Sequence, residues 1–549
     1  MRKKITGLFG ASVIVVGMMM GLTGCSLFES SSEETTQVTT EEKDQKEKAK
    51  KLEYVVPTTK EEVFSEEVQN NMQKEIDQKL DQLTYTPEAP LVYYNPFGTN
   101  LRSANVYFTT EQPAKVEYEV SVEDESIPDF SRTLETGDES GFTKEHAYQL
   151  IGFVPNSENT VTLHIYNEAG EEIAHTSFTI QIPEIVSDAE EKIEVTKEKE
   201  EELENGLYTV VYGRRDSKQL NIDLYDENGI LRGELYVDGY RTDRIDTIDN
   251  YLYYGVDENK IVKVNRLGKV DKVYDLGQYE MHHDLVYNEE KDQYLILVND
   301  TKQETVEDMI VTLDLKTGEV KSLLDLKDIL PEAYEKAVLP DSKSKLDWAH
   351  INAIQLINGT DVVLSFRELS SIVKVNNVYD KPELGYILSD KTVWEGTSYV
   401  ESVYDKVGDF TAQGGQHAIT YEKGDSEDEY YLYMFNNNFT YSGTRKDIDW
   451  SGYTLAQTPE DEKYSYYYKY KINETEGTFE LVDSFEVPYS AYVSNVQKVG
   501  DHYIVCSGAQ KIFGEYDSEG NLIREFKQEK EQYLYRTFKY AFDGIWFSN

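Results

Sequence analysis

The sequence predicts an all-β chain: a β-sandwich followed by a β-propeller, with one amphipathic helix ahead of both. Three observations carry this. Of 549 residues, 43 are Tyr and only 13 are Pro, a composition that favours strands. Beyond about residue 90, apolar residues alternate with a period of two between turns rich in Gly, Asn and Asp. Three histidines, His283, His350 and His417, each open a hairpin and follow one another at intervals of 67 residues.

Residues 1–24 read as an export signal. Arg2, Lys3 and Lys4 precede an apolar run that ends in Leu22-Thr23-Gly24-Cys25. Small residues before a cysteine at that place resemble the lipobox of bacterial lipoproteins, which makes Cys25 the lipidation site. The expected location is extracytoplasmic, lipid-anchored to the bacterial cell membrane. Residues 25–58, rich in Ser, Thr, Glu and Lys, have little to bury and read as a disordered tether. Over 59–86, Phe64, Val68, Met72, Ile76, Leu80 and Leu83 recur every three or four residues, and Thr59 with Glu62 offers a capping box. This predicts one amphipathic helix packed on the body or on a second subunit, which leaves a homodimer open.

Residues 87–186 are the sandwich, where Val116, Tyr118 and Val120, and again Val161, Leu163 and Ile165, alternate with polar residues. His146, His164 and His175 fall in it, with His164 facing outward. Residues 187–206, rich in Glu and Lys, read as a charged linker or exposed helix. Residues 207–549 hold many short strands. At roughly 40–50 residues per blade plus insertions they accommodate five to seven blades, and six is the expected number.

Composition excludes several function classes. Lys+Arg is 55 against 103 Asp+Glu, a net charge of −48 that repels nucleic acid. The two cysteines, Cys25 and Cys506, rule out a disulfide scaffold and a cysteine zinc cluster, and Cys506 reads as a buried small hydrophobe. The Cys506-Ser-Gly-Ala-Gln context does not fit a sulfatase nucleophile, and no Gly-rich strand–loop–helix marks a nucleotide-binding site.

The hairpin mouths concentrate the chemistry. Equivalent places in successive blades surround one axis, so His283, His350 and His417 converge, with Ser494-Asn495 at the fourth equivalent position. Arg367 ends the second strand of the His350 hairpin, an anion-binding arrangement beside histidine. Alternation admits only one of His282 and His283 to the channel, and register favours His283. His502 lies in a turn and reads as surface.

The motifs His282-His283-Asp284, Asp347-Trp348-x-His350-x-Asn352, Ser365-x-Arg367, Gly414-Gly415-Gln416-His417, Ser494-Asn495-Val496 and Phe542-Asp543-Gly544-Ile545-Trp546-Phe547 together resemble the bacterial arylsulfate sulfotransferases that use no phosphoadenosine donor. Asn95-Pro96-Phe97-Gly98-Thr99-Asn100 and Ser103–Thr110 are similar to that family's N-terminal domain. The resemblance runs from about residue 90 to the C-terminus. It implies an immunoglobulin-like sandwich and a six-bladed propeller, and transfer of a sulfuryl group between phenols through a sulfohistidine, with no cofactor and no metal. Carried over, His417 is the nucleophile, His350 and His283 or His282 handle protons, and Arg367 and Asn352 hold the sulfuryl oxygens. Trp348 and Phe366 are either aryl-stacking or core residues. Ser494 and Asn495 complete the substrate site. Two other readings stand beside this one: a surface-tethered binding propeller, and a metal-dependent propeller enzyme, which the cationic Arg367 disfavours. The long acidic turn after His417 (422–429) departs from the family pattern.

Overall fold

The computed structural model describes residues 54–185, 187–199, 201–213, 221–237, 242–452 and 463–548, and the backbone of a strand at Val38–Thr40. The signal, Cys25 and nearly all of the tether lie outside the described residues.

Six sheets follow one another along the chain. Blade I comprises Leu207–Tyr212, Ile222–Tyr225 and Leu231–Leu235, and its innermost strand is the C-terminal Leu534–Tyr540. Blade II begins at Ile245–Ile248, blade III at Tyr279–Asn288, blade IV at Ile351–Ile357, blade V at His417–Glu422 and blade VI at Asn495–Val499. Each of these five strands opens a meander of four antiparallel strands. Joining the last strand to the first blade closes the ring and removes two open edges. The wide spacing of the histidines has a simple source. Blades III and IV are each followed by an excursion, which carries the helices Leu326–Ile329 and Pro331–Lys336 in one case and Lys391–Trp394 in the other.

The preceding domain is immunoglobulin-like. One long strand, Ala104–Val122, serves both of its halves: it pairs with Leu91–Tyr94 and Thr143–Leu150, then with Phe130–Thr133 and Glu158–Asn167. The register slips between Thr109 and Ala114, where the strand changes partners. The alternating residues Val116, Tyr118, Val120, Val161, Leu163 and Ile165 are buried together, so period-two patterning translates directly into one core face.

Two segments depart from expectation. The helix is broken: Thr59 and Glu62 form a capping box over Lys60–Val63, then Ser65 caps a new helix, Glu66–Gln82. Met72 and Ile76 are buried, but Leu80 and Leu83 are exposed. The anchor is instead Gln69, fully buried, which donates to the carbonyls of Val63 (2.7 Å) and Phe97 (2.8 Å) and accepts from the Val270 amide (3.0 Å). Glu66 accepts from the Val273 amide, so the helix covers the outer edge strand of blade II. The segment 187–206 is neither a plain linker nor a helix. Glu194–Glu198 adds a fifth strand to blade VI, with Ile193 buried beside it, because the open edge of that blade satisfies its backbone groups.

The two domains are fastened by buried polar groups. Arg102 donates to Glu234 (3.3 Å) and to both oxygens of Glu191. Trp546 donates to Gln149 (2.8 Å), which draws the C-terminal Phe542–Phe547 motif onto the sandwich core.

Candidate active site

The inner strands of blades I, III, IV and V each carry an irregularity at the same end. Pairing skips between Met281 and Leu285, between Ile351 and Ala353, between His417 and Thr420, and between Leu534 and Arg536. His283 and His350 adopt left-handed backbone conformations (φ 61° and 50°), and in blade V that conformation falls one residue later, on Ala418. Such bulges re-aim side chains. They also defeat the alternation argument for His282 and His283. Both rings are buried, with centroids 5.3 Å apart, and His283 is the one that meets His350, at 5.0 Å.

His350 Nδ1 donates to Asp347 (2.6 Å) and Glu307 (2.7 Å). Glu307 also accepts from His283 Nε2 (3.1 Å), while His283 Nδ1 lies 2.7 Å from the Tyr535 hydroxyl. Burial alone would lower the His350 pKa, but the two carboxylates override it and push it up to about 10. Burial would likewise raise Glu307, and the charges of His350 and His283 hold it well below the usual carboxylate range.

His417 has the opposite character. Its Nδ1 faces two acceptors, Asn437 Oδ1 (2.7 Å) and the Gly415 carbonyl (3.0 Å), so the proton sits on Nδ1 and the lone pair on Nε2. Burial pushes its pKa down to about 3, aided by the charges of His350, Arg367 and Arg536 and opposed by the Asn437 hydrogen bond. The loop leading into it requires glycine. Gly415 has φ 61°, and a Cβ there would lie 2.5 Å from the Phe439 carbonyl.

Arg367 is partly exposed and paired with Glu368 (3.3 Å), itself fixed by Ser442 and Thr444. Asn352 is fully buried and donates to the Gln416 carbonyl (2.9 Å), one residue before His417, so its amide supports the loop that leads into His417. Trp348 and Phe366 are both fully buried in one apolar cluster, with Trp348 donating to Asp308 (2.9 Å). The aryl-stacking expectation for these two gives way to core packing, since neither ring has any exposed surface to offer a ligand. Ser494 donates to Ser490 (2.8 Å), and Asn495 brackets Thr537, donating to its carbonyl and accepting from its amide (both 2.8 Å). These two hold blade VI to the closing strand. His502 is half-buried and bonded to the buried Glu515 (2.7 Å), so it too is structural rather than free on the surface.

Four residues of the cluster escaped the sequence reading, Glu307, Asn437, Tyr535 and Arg536, and Asp347 had no role there beyond its place in a motif. Arg536 donates to Asp284 (3.0 Å) and the Asn352 carbonyl (2.9 Å). Asp347 was visible within its motif, and Tyr535-Arg536 as a polar interruption of an apolar strand. Nothing local marked Glu307.

Among the described residues, His282, His283 and Glu307, and separately Glu307, Asp347 and His350, are spaced closely enough to share a cation. The nearby guanidiniums Arg367 and Arg536 and the raised His350 pKa favour an anion at this place instead.

Residues 192–543 match the arylsulfotransferase (ASST) family, and residues 91–183 match the arylsulfotransferase Ig-like domain. No match was found among curated proteins. Among solved structures, a chain of a nidogen–laminin complex is 9% identical, covering 61% of this chain and 97% of its own, with a TM-score of 0.35. Streptogramin B lyase is 11% identical, covering 62% and 90%, with a TM-score of 0.32. The Cps50 (Swd1) β-propeller domain of Myceliophteria thermophila is 10% identical, covering 68% and 92%, with a TM-score of 0.28.

Proposed function

The chain belongs to the arylsulfotransferase family, whose donor is an aryl sulfate and whose acceptor is a phenol, and on that premise we propose a two-step transfer through a sulfohistidine on His417 that needs no nucleotide donor. The observation that carries this reading is the pairing of a buried neutral imidazole, His417, with a neighbouring histidine held protonated, His350. The first is a nucleophile and the second an acid at the same pH.

In the first step, Nε2 of His417 attacks sulfur. The N–S bond forms as the S–O(aryl) bond breaks, and the departing phenolate takes a proton from His350. The positive charge that develops on the His417 ring is shared with Asn437 and the Gly415 carbonyl through Nδ1–H. In the second step the acceptor phenol gives its proton back to His350 and its oxygen attacks sulfur, breaking the N–S bond. Arg367 faces the sulfuryl oxygens, and Arg536 adds its field. Glu307 and Asp347 position His350, His283 steadies Glu307, and Asn352 positions the loop before His417. On its sequence signal, the chain is anchored outside the cytoplasm through lipid on Cys25. Mass spectrometry of the mature N-terminus tests this, and an unmodified Cys25 would refute it.

The decisive assay uses the full chain, a chromogenic aryl sulfate, no nucleotide, and a phenol added or withheld. Release stimulated by phenol, and lost by about 10³-fold or more in His417→Ala, is the expected outcome. Unchanged release in that variant would remove His417 from the chemistry. No release from folded wild-type protein would favour a binding propeller.

A further inference from the structure

Far from the propeller axis, the outer face of the sandwich carries a second histidine cluster. His164 and His175 are directly opposed across the hairpin formed by Glu158–Asn167 and Glu172–Gln181. Their Nδ1 atoms lie 3.2 Å apart, and each is 3.1 Å from the same oxygen of Glu172. The three donor atoms thus form a nearly equilateral triangle. Four ligands about 2.0–2.1 Å from a tetrahedral ion stand about 3.3–3.4 Å from one another, so an ion slightly above this triangle meets all three with little adjustment. It keeps an outward position for water.

We propose that His164, His175 and Glu172 bind one first-row divalent transition ion, Zn²⁺ being the committed occupant. Two imidazole nitrogens and one carboxylate suit such an ion and not Mg²⁺ or Ca²⁺, which prefer all-oxygen sets. The rings are half-exposed or exposed, their planes are inclined by 80°, and both turn Nδ1 toward Glu172. Binding requires both Nδ1 lone pairs, so it displaces any proton these nitrogens share with each other or with Glu172, and the dication then holds the carboxylate. A further carboxylate adds negative potential: Glu117 stands opposite His164 on the next strand, completing a row of Glu117, His164 and His175 across three strands. The overall charge of −48 draws cations in the same sense. Bound there, the ion staples the two strands of the outer hairpin. The site shares no residue with the reaction centre.

The test is calorimetric titration of the untagged full chain with Zn²⁺, followed by the visible spectrum of the Co²⁺ form. One ion per chain is expected, with tetrahedral-type Co²⁺ absorption. His164→Ala combined with His175→Ala should weaken the Zn²⁺ affinity at least tenfold, and Glu172→Gln should weaken it by a smaller factor. Circular dichroism checks that these exposed substitutions leave the fold intact, and aryl sulfate cleavage should be unchanged in them. Absence of Zn²⁺ binding up to millimolar concentration would overturn the proposal. So would binding that persists unchanged in the double variant, which would locate the ion elsewhere, such as at His282, His283 and Glu307.

Discussion

Replacing Glu307 by Gln removes one of the two carboxylates that keep His350 protonated, and leaves the other, Asp347, in place at 2.6 Å. Glu307 approaches His350 to 2.7 Å and His283 to 3.1 Å. Two unit charges centred about 4 Å apart, at an effective dielectric near 20, attract by about 4 kcal/mol, which is about three pKa units. The His350 pKa should therefore fall from about 10 to about 7. At pH 8.5 only about 3% of the variant then carries the proton that the leaving phenolate needs, so cleavage slows by about 30-fold. At pH 6 both proteins are protonated and their rates should agree within a few-fold. The assay is the pH–rate profile of the full chain with two aryl sulfates of different leaving-group basicity, the more basic one showing the larger effect. An alkaline limb that stays in place in Glu307→Gln would refute the reasoning. The sign for stability is the same. The folded-state pKa of His350 lies above its unfolded value, about 6.5, so its ion pairs contribute fully below that pH and are lost as pH rises through about 10.

Two further perturbations test the supports. Asn437→Ala removes the acceptor that fixes the His417 tautomer, and should lower kcat by about 10–100-fold with little change in KM; an unchanged kcat would show that the Gly415 carbonyl alone suffices. Arg102→Ala leaves the buried carboxylate of Glu234 without its cationic partner, with the neutral donors Asn221 and Ser187 remaining, and should destabilise the protein by about 3–5 kcal/mol in urea unfolding. A loss below about 1 kcal/mol would mean that water or neighbouring groups replace the guanidinium.

What the sequence determined by itself rests on patterns carried by neighbouring residues and by a regular repeat. Alternation at Val116–Val120 and Val161–Ile165 defined core faces, because side-chain direction in a strand repeats every two residues. The capping box at Thr59 and Glu62 was legible because its partners are three residues apart. The equal spacing of His283, His350 and His417 foretold their convergence, since equivalent strands of a propeller share one axis. Periodicity failed where a polar contact ruled instead. Gln69, not Leu80 or Leu83, anchors the helix, and Glu194–Glu198 pairs with a blade edge despite its charge.

Only the tertiary structure decided the chemistry of each histidine. His350 and His417 occupy matching places in the sequence repeat, yet one is held as an acid and the other as a neutral base. The difference comes from Glu307 and Asp347 on one side, and from Asn437, Gly415 and burial on the other. Glu307 lies between two strands of blade III, Asn437 directly follows a strand of blade V, and Tyr535 and Arg536 come from the last strand in the chain. Strand pairing within blade V, packing of blade III on blade IV, and closure of the ring by the last strand bring these together. A protonation state depends on charges and donors a few ångströms away in space, and for Glu307, Asn437 and Arg536 that distance has no counterpart along the sequence.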